Sequence, residues 1–412
     1  MKTPIVQVGE LALNHSGAFK IGPFGSSLKK TELVKSGIPV AGIENVLPNK
    51  FVKGFRRFIT SRKFDELSDY EILPDDVLVT TMGTIGRAAS APPDLGRVIF
   101  DSHLFRMRVD TNRVFPRYLC YALNSDLVVS QLGRMARGAI MEGLNTTILR
   151  ECSIPLPEMS EQRRTAGRLE QADRLAHTRR YALELTDTFL PAAFLELFGH
   201  GSFPRVALEE LATDERNSFV NGPFGSDLLT SELRDSGVPV IYIRDISSGR
   251  YERTSCVFVT PAKAAELKFC NAKPGDVLVA KVGDPPGIAA IYPATEAEGV
   301  ITQDVIRIRP NTELVSVFYL QGFLNSPLAH QEMTKIMVEG TRLRFSLGQF
   351  KEISVPVPPL PLQQKFAALV EQVERLRAVQ REALRQAEHL FASLLDHAFS
   401  GYPRSKCPER KS

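Results

Sequence analysis

The amino-acid sequence predicts an α+β chain built twice over: a mixed, mostly β module, a long coiled-coil helix, then a second module and a second helix. Residues 160–199 hold no glycine between Gly167 and the closing Gly199 and no proline before Pro191, while Leu169, Ala176, Leu183, Leu190 and Leu197 recur every seven residues. Arg, Glu and Gln fill most other positions, the pattern of an amphipathic helix with a narrow apolar seam. About 38 residues at about 1.5 Å each make a rod of roughly 57 Å. So narrow a seam needs a partner helix. Residues 362–400 supply one, with Gln363, Leu376, Leu384 and Phe391 standing where the first copy has Gln162, Leu175, Leu183 and Leu190.

The modules repeat as well. IGPFGSSL at 21–28 returns as NGPFGSDL at 221–228, TELVKSGIPV at 31–40 as SELRDSGVPV at 231–240, and YLCYALNS at 118–125 as YLQGFLNS at 319–326. ILPDDVLVTTMGTIGRAA at 72–89 returns as AKPGDVLVAKVGDPPGIAA at 272–290, with one residue inserted in the glycine turn. ECSIPLPEMSEQ at 151–162 and EISVPVPPLPLQQ at 352–364 lead into the helices. Divergence is concentrated in residues 43–70 against 243–271 and 133–145 against 333–347.

Five regions follow: modules at 1–157 and 201–358, helices at 158–200 and 359–400, and a flexible tail at 401–412. Within each module DVLVTTMG and DVLVAKVG read as strands, with valine alternation, an introducing turn and a closing glycine. Residues 98–109 and 300–308 read as the next strand, and 115–123 and 315–324 as helices. Prolines 155, 157, 356, 358 and 359 hold the approach to each long helix extended.

Composition sets limits. Hydrophobic residues make up 43% and charged residues 24% of 412, enough apolar material for real cores in more than one domain. No apolar run approaches a membrane span, and MKTPIVQVGE lacks the basic and apolar regions of an export signal. The cysteines (120, 152, 256, 270 and 407) have no C-x-x-C spacing, which points to reduced thiols in the cytoplasm and to neither disulfides nor a metal site. Net charge is +4, and residues 1–200, with 26 Lys+Arg against 22 Asp+Glu, carry all of it. Any nucleic-acid surface must therefore be local.

The ordered set of paired GPFGS turns, I/V-P-L/V-P-x-x-x-x-Q helix approaches and two terminal helices, over residues 3–400, resembles the specificity subunit of Type I restriction–modification systems. The resemblance implies two target-recognition domains, each reading one half of a split double-stranded DNA site, and two helices packed antiparallel as a spacer in a pseudo-twofold arrangement. It also implies modification subunits, two copies, bound at the helices, with motor-nuclease restriction subunits in the full complex. S-adenosylmethionine, ATP and Mg2+ would be used by those partners, with no cofactor in this chain. A rod of the length above can set two readers about one DNA turn, roughly 34–36 Å, apart, and unlike reader loops imply an asymmetric target.

On that reading the DNA-binding candidates begin with Gly22, Phe24, Gly25 and Ser26 and their repeats Gly222, Phe224, Gly225 and Ser226. Glycine permits close backbone approach and serine can meet phosphate; the competing reading is a structural turn with a core-anchoring phenylalanine. Lys20, Lys29 and Lys30 add charge beside the first turn only. In the divergent stretch stand Arg56, Arg57, Arg62 and Lys63 in the first module and Arg244, Arg250 and Arg253 in the second, able to pair with guanine edges or phosphate. Arg87, Arg137, Lys281, Arg342 and Arg344 lie in or beside glycine-containing loops. The strand pairs Arg106/Arg108 and Arg307/Arg309 read as scaffold ion pairs. Gln162, Arg163, Arg164, Gln363, Gln364 and Lys365 open the rods, facing either a partner or solvent.

Catalysis finds little support. Asp284-Pro285-Pro286-Gly287 departs from the D/N-P-P-Y/F motif of amino-methyltransferases at its last residue, where glycine cannot stack on a base. Glu266-Leu267-Lys268 lacks the P-D that a nuclease site would place before it, and no phosphate loop is present. A self-sufficient methyltransferase or nuclease with degenerate motifs remains the rival from the enzyme class. A protein-interaction scaffold, or an inhibitor that mimics DNA, is the other, and the positive charge opposes mimicry.

Overall fold

The proline-rich approach to each long helix is held extended by the opening strand of its own module. Ile5–Gln7 pairs antiparallel with Ser153–Pro155, and Arg205–Ala207 with Ser354–Pro356. The computed structural model describes residues 3–25, 27–136, 146–225, 227–338 and 343–400. Two units result, Met1–Arg179 with Glu382–Ser412, and Arg180–Arg381.

The core of the first unit is a four-stranded antiparallel sheet in the order Phe19–Ile21, Leu104–Met107, Val77–Thr80, Ala88–Ser90. The second repeats it with Phe219–Asn221, Val305–Ile308, Val277–Ala280 and Ala289–Ile291. Every residue of Val77–Thr80 and Val277–Ala280 is buried, which is why these strands read as continuous apolar runs. One face meets a helix, Pro116–Leu123 or Val317–Leu324. The other meets a small sheet in which Ile38–Ala41 runs parallel to Ile99–Phe100, and Val238–Ile241 parallel to Gly299–Ile301.

The stretches 98–109 and 300–308, read from sequence as one strand each, are two. The chain leaves the small sheet after Phe100 or Ile301, turns a corner, and joins the large sheet at Leu104 or Val305. Alternation continues through the corner because both sheets bury one face against the same core, so periodicity could not reveal the bend.

The long helices span Met159–Phe198 and Leu360–Phe399, and the first continues through Pro191. In the first unit Ala166 and Leu169, near the start of one helix, share a core with Phe391, Leu394, Leu395 and Phe399 at the end of the other. In the second unit Phe194 and Phe198 pack with Phe366. Start meets end in each, so the helices are antiparallel. The seam differs from the heptad reading in its far half. Leu183, Leu190 and Leu197 are only half-buried, and Phe194 and Phe198 carry the burial because Tyr319 projects from the module against them.

Two polar ties dock each helix on its module, and both recur. Gln162, 1% exposed, accepts from the Phe115 N–H at 2.8 Å and donates to the Arg113 and Pro157 carbonyls. Gln363, fully buried, does the same with Ser316, Leu314 and Pro358. These glutamines therefore face neither a partner nor solvent: each fills the orphan backbone groups where a loop meets a helix start. The Tyr118 and Tyr319 hydroxyls donate to the Pro155 and Pro356 carbonyls.

Burial pushes the Cys120, Cys152 and Cys270 thiols up to about 12, whereas Cys256 is exposed. Thiolate is the reactive form. Brief alkylation of the native protein at pH 8, followed by peptide mapping, is expected to label Cys256 and leave Cys120, Cys152 and Cys270 unmodified.

Candidate nucleic-acid interface

The strand directions gather several of the predicted residues at one end of the large sheet. In the first unit the chain leaves Phe19–Ile21 into the Gly22–Gly25 turn, leaves Val77–Thr80 into the 81–87 turn, and enters Leu104–Met107 from the 101–103 corner. All three loops emerge side by side. The Gly22 N–H donates to the Leu104 carbonyl and the Thr81 N–H to that of His103. In the second unit Gly222 donates to Val305 and Lys281 to Asp304, giving the same arrangement.

Gly22 and Gly222 have a structural reason to be glycine. A Cβ at either would overlap the facing backbone, at Asp101–Ser102 in one unit and Ile301–Thr302 in the other. Pro23 and Pro223 are buried beside them. The phenylalanines anchor no core, contrary to the structural-turn alternative. Phe24 is 61% and Phe224 59% exposed, because the anchored glycine and proline swing the next residue off the sheet end. Around Gly25 and Gly225 an added Cβ would meet nothing.

The cations sort into paired and unpaired. Arg57 reaches this sheet end but binds Asp101 at 2.6 Å and Glu44 at 3.1 Å. Burial, the largest influence, pulls its guanidinium down, yet the two carboxylates together raise it above its ordinary value. Arg56 beside it is exposed, and Arg87 half-exposed, with no ion pair among the described residues. In the second unit an isolated bridge between Val282 and Arg344 sets Arg344 next to the 281–287 turn. Arg344 and Lys281 have no ion pair among the described residues, and Asp284-Pro285-Pro286-Gly287 is the turn itself. Arg244 stacks on Tyr242 at 4.6 Å and donates to the Ser255 hydroxyl, at the end where Ile241 meets Thr302.

Other candidates are placed elsewhere or occupied. Lys20 is tied to Asp69 at 2.8 Å and lies over the Tyr70 ring. Arg62 and Lys63 start a helix beyond Ile59, at the far end of the small sheet; Arg62 is almost fully exposed, and Lys63 pairs with Glu32 and Glu66. Arg253 pairs with Glu296. Arg250 turns to the helices and binds Asp187 at 3.5 Å and Glu374 at 3.3 Å. Lys29 and Lys30 are exposed on the segment after the first turn. Arg163 lies over the Phe115 ring and Arg164 pairs with Glu161; Gln364 and Lys365 are exposed. Ser26, Ser226, Arg137 and Arg342 lie outside the described residues.

The strand arginines serve the scaffold, but ion pairs hold only Arg108 and Arg309 closely, while Arg106 and Arg307 bind mainly backbone carbonyls. Arg106, 1% exposed, donates to the carbonyls of Gly17, Asp69 and Glu71, and Arg307 to those of Asn217, Phe269 and Asn271. Arg108 and Arg309 pair with Asp76 and Asp276. Burial lowers the Arg106 guanidinium to about 10, so it stays charged at neutral pH.

Sequence reasoning missed the apolar residues of these loops. Met82 (42%) and Ile85 (48%) are exposed in the first unit and Val338 (52%) in the second. The inserted residue in the 281–287 turn was the available signal, since loops that change length between otherwise matched strands point to changed surfaces.

The profile of the Type I restriction modification DNA specificity domain matches twice, at residues 19–185 and 225–389. This chain belongs to that family. Both matches run from a module through most of its long helix, so a specificity domain here is a module together with its rod. The chain is 21% identical over 390 residues to a putative type I restriction enzyme MjaX specificity subunit of Methanocaldococcus jannaschii, covering 90% of this chain and 88% of that one. It is 22% identical to the EcoBI specificity subunit of Escherichia coli, covering 89% and 80%. Among solved structures, one from work on assembly and conformational transition of the type I R-M system superposes with a TM-score of 0.59 at 20% identity, over 97% of this chain and 99% of that one. That likeness is one of fold.

Proposed function

We propose that the chain is the DNA-reading subunit of a Type I restriction–modification complex, each specificity domain reading one half of a split, asymmetric target. The observation that carries this is the contrast between scaffold and sheet end. The glutamine and tyrosine ties, the buried arginines and the glycine-anchored turns recur in both units. The loops at the sheet end carry Arg56, Met82, Ile85 and Arg87 in one and Arg244, Lys281, Val338 and Arg344 in the other. Cations without an ion-pair partner among the described residues suit phosphate and guanine edges, and apolar side chains suit thymine methyl groups.

The chain does no chemistry itself in this reading. Methylation and ATP-dependent cleavage belong to partners that use S-adenosylmethionine, ATP and Mg2+ inside the cell. Exposed apolar residues support similar docking of two modification subunits along the helices: Leu175 and Leu390 in the first unit, Phe189 and Leu376 in the second. Among the described residues no helix is long and apolar enough to cross a membrane.

Methylation mapping of a host carrying this chain and its modification subunit, with and without in-frame deletion of the chain, tests the reading. A split motif with unlike halves, absent in the deletion, is expected. An unchanged methylome with an active partner would sink it.

A further inference from the structure

We propose that Phe24 and Phe224 are wedges, each placing its ring against a base step of its own half-site and unstacking it. The inference rests on the DNA-reading function above. Among the described module residues, this is the one large apolar side chain that is exposed in both units. An apolar ring held about 60% in water at a repeated position is not a packing residue in either copy.

The backbone presents it rigidly. Gly22 and Gly222 are pressed on the facing corner, with their N–H groups bonded to Leu104 and Val305. The Ser27 and Asp227 N–H groups close the turn on the Phe24 and Phe224 carbonyls at 2.9 and 2.8 Å. A ring on a pinned turn can press on a partner without retreating.

What surrounds the ring points to nucleic acid. Charge on the following segment is not shared, since Lys29 and Lys30 face Leu229 and Thr230 in the repeat. The ring is shared, so its target must be common to two different half-sites, and the stacked faces of base pairs are what all DNA sequences share. Cations with no ion pair among the described residues stand at the same sheet end, Arg56 and Arg87 in one unit and Lys281 and Arg344 in the other. Apolar wedges flanked by phosphate-binding cations are how proteins unstack base steps. A protein-docking patch would instead be ringed by further shared apolar residues.

The test uses the complex of the full chain with its modification subunit, on duplexes of its methylated target carrying 2-aminopurine at successive positions. The wild-type complex is expected to raise fluorescence severalfold at one step in each half-site. Phe24→Ala should abolish the rise in one half-site only, and Phe224→Ala in the other, each weakening binding by about 5- to 150-fold if stacking has its usual strength. Phe24→Leu should keep most of the signal. Both alanine variants should melt with the wild type, because the rings are exposed. A wild-type complex that reads its split motif with no fluorescence rise would overturn the wedge and leave DNA reading intact. So would alanine variants that keep the rise, or that lose the modification subunit while binding DNA normally. If the wild-type complex reads no split motif, the underlying function fails first.

Discussion

Arg106→Ala is expected to destabilise the first unit by about 3–5 kcal/mol, the range for removing one partner from a buried charge network. The guanidinium serves the Gly17, Asp69 and Glu71 carbonyls at once, so the variant takes the donor from Gly17 and Asp69 and leaves Glu71 to Arg108 alone. It also leaves Asp76, 3% exposed, with Arg108 alone. Arg307→Ala should act equally on the second unit, where Asn217, Phe269 and Asn271 lose their donor. Denaturant unfolding followed by native-state hydrogen exchange separates the two, since each variant should loosen its own sheet and spare the other. Arg62→Ala is the control. That side chain is 91% exposed with an ion pair of 3.7 Å, and its loss should change stability by less than about 0.5 kcal/mol. Equal effects from Arg62 and Arg106 would refute the scaffold role.

Replacing residues 203–351 with a second copy of residues 3–150 is expected to convert the methylated motif from two unlike half-sites to two identical ones. The graft should fold, because the ties it needs are present twice. Gln363 meets the backbone of its module as Gln162 does in the first unit, and the grafted Tyr118 would take the place of Tyr319 against Phe198. One contact is crowded. Tyr121 lands where Gly322 stands, and a Cβ there would come within 2.7 Å of Phe194, so the graft carries Phe194→Leu, the residue that Leu395 supplies at the matching position of the other helix. Methylation mapping reads the outcome directly. Retention of the original asymmetric motif by the grafted chain would mean that these modules do not choose the sequence.

Much of the architecture was legible in the residues. The duplication, the helix spans within a residue or two, the DVLV strands and the scaffold role of Arg106, Arg108, Arg307 and Arg309 all follow from pattern. Burial repeats with the period of the backbone, and a duplicated unit states its pattern twice. The corner after Phe100 was hidden because alternation passes through it unchanged. The candidate site was legible only as a pool of cations. Arg56 and Arg57 are neighbours in sequence, yet Arg57 is held by Asp101 and Glu44 while Arg56 is unpaired among the described residues.

Sequence by itself therefore determined that this protein is two versions of one unit, each joined to a rod, because periodicity and repetition are properties of the chain. Tertiary structure alone decided which polar groups are spent internally. It buried Gln162 and Gln363 as helix ties, turned Arg250 onto Asp187 and Glu374, and lifted Phe24 and Phe224 into solvent. Most partners in those contacts lie tens to more than a hundred residues apart, and only the folded backbone sets which of them come within reach.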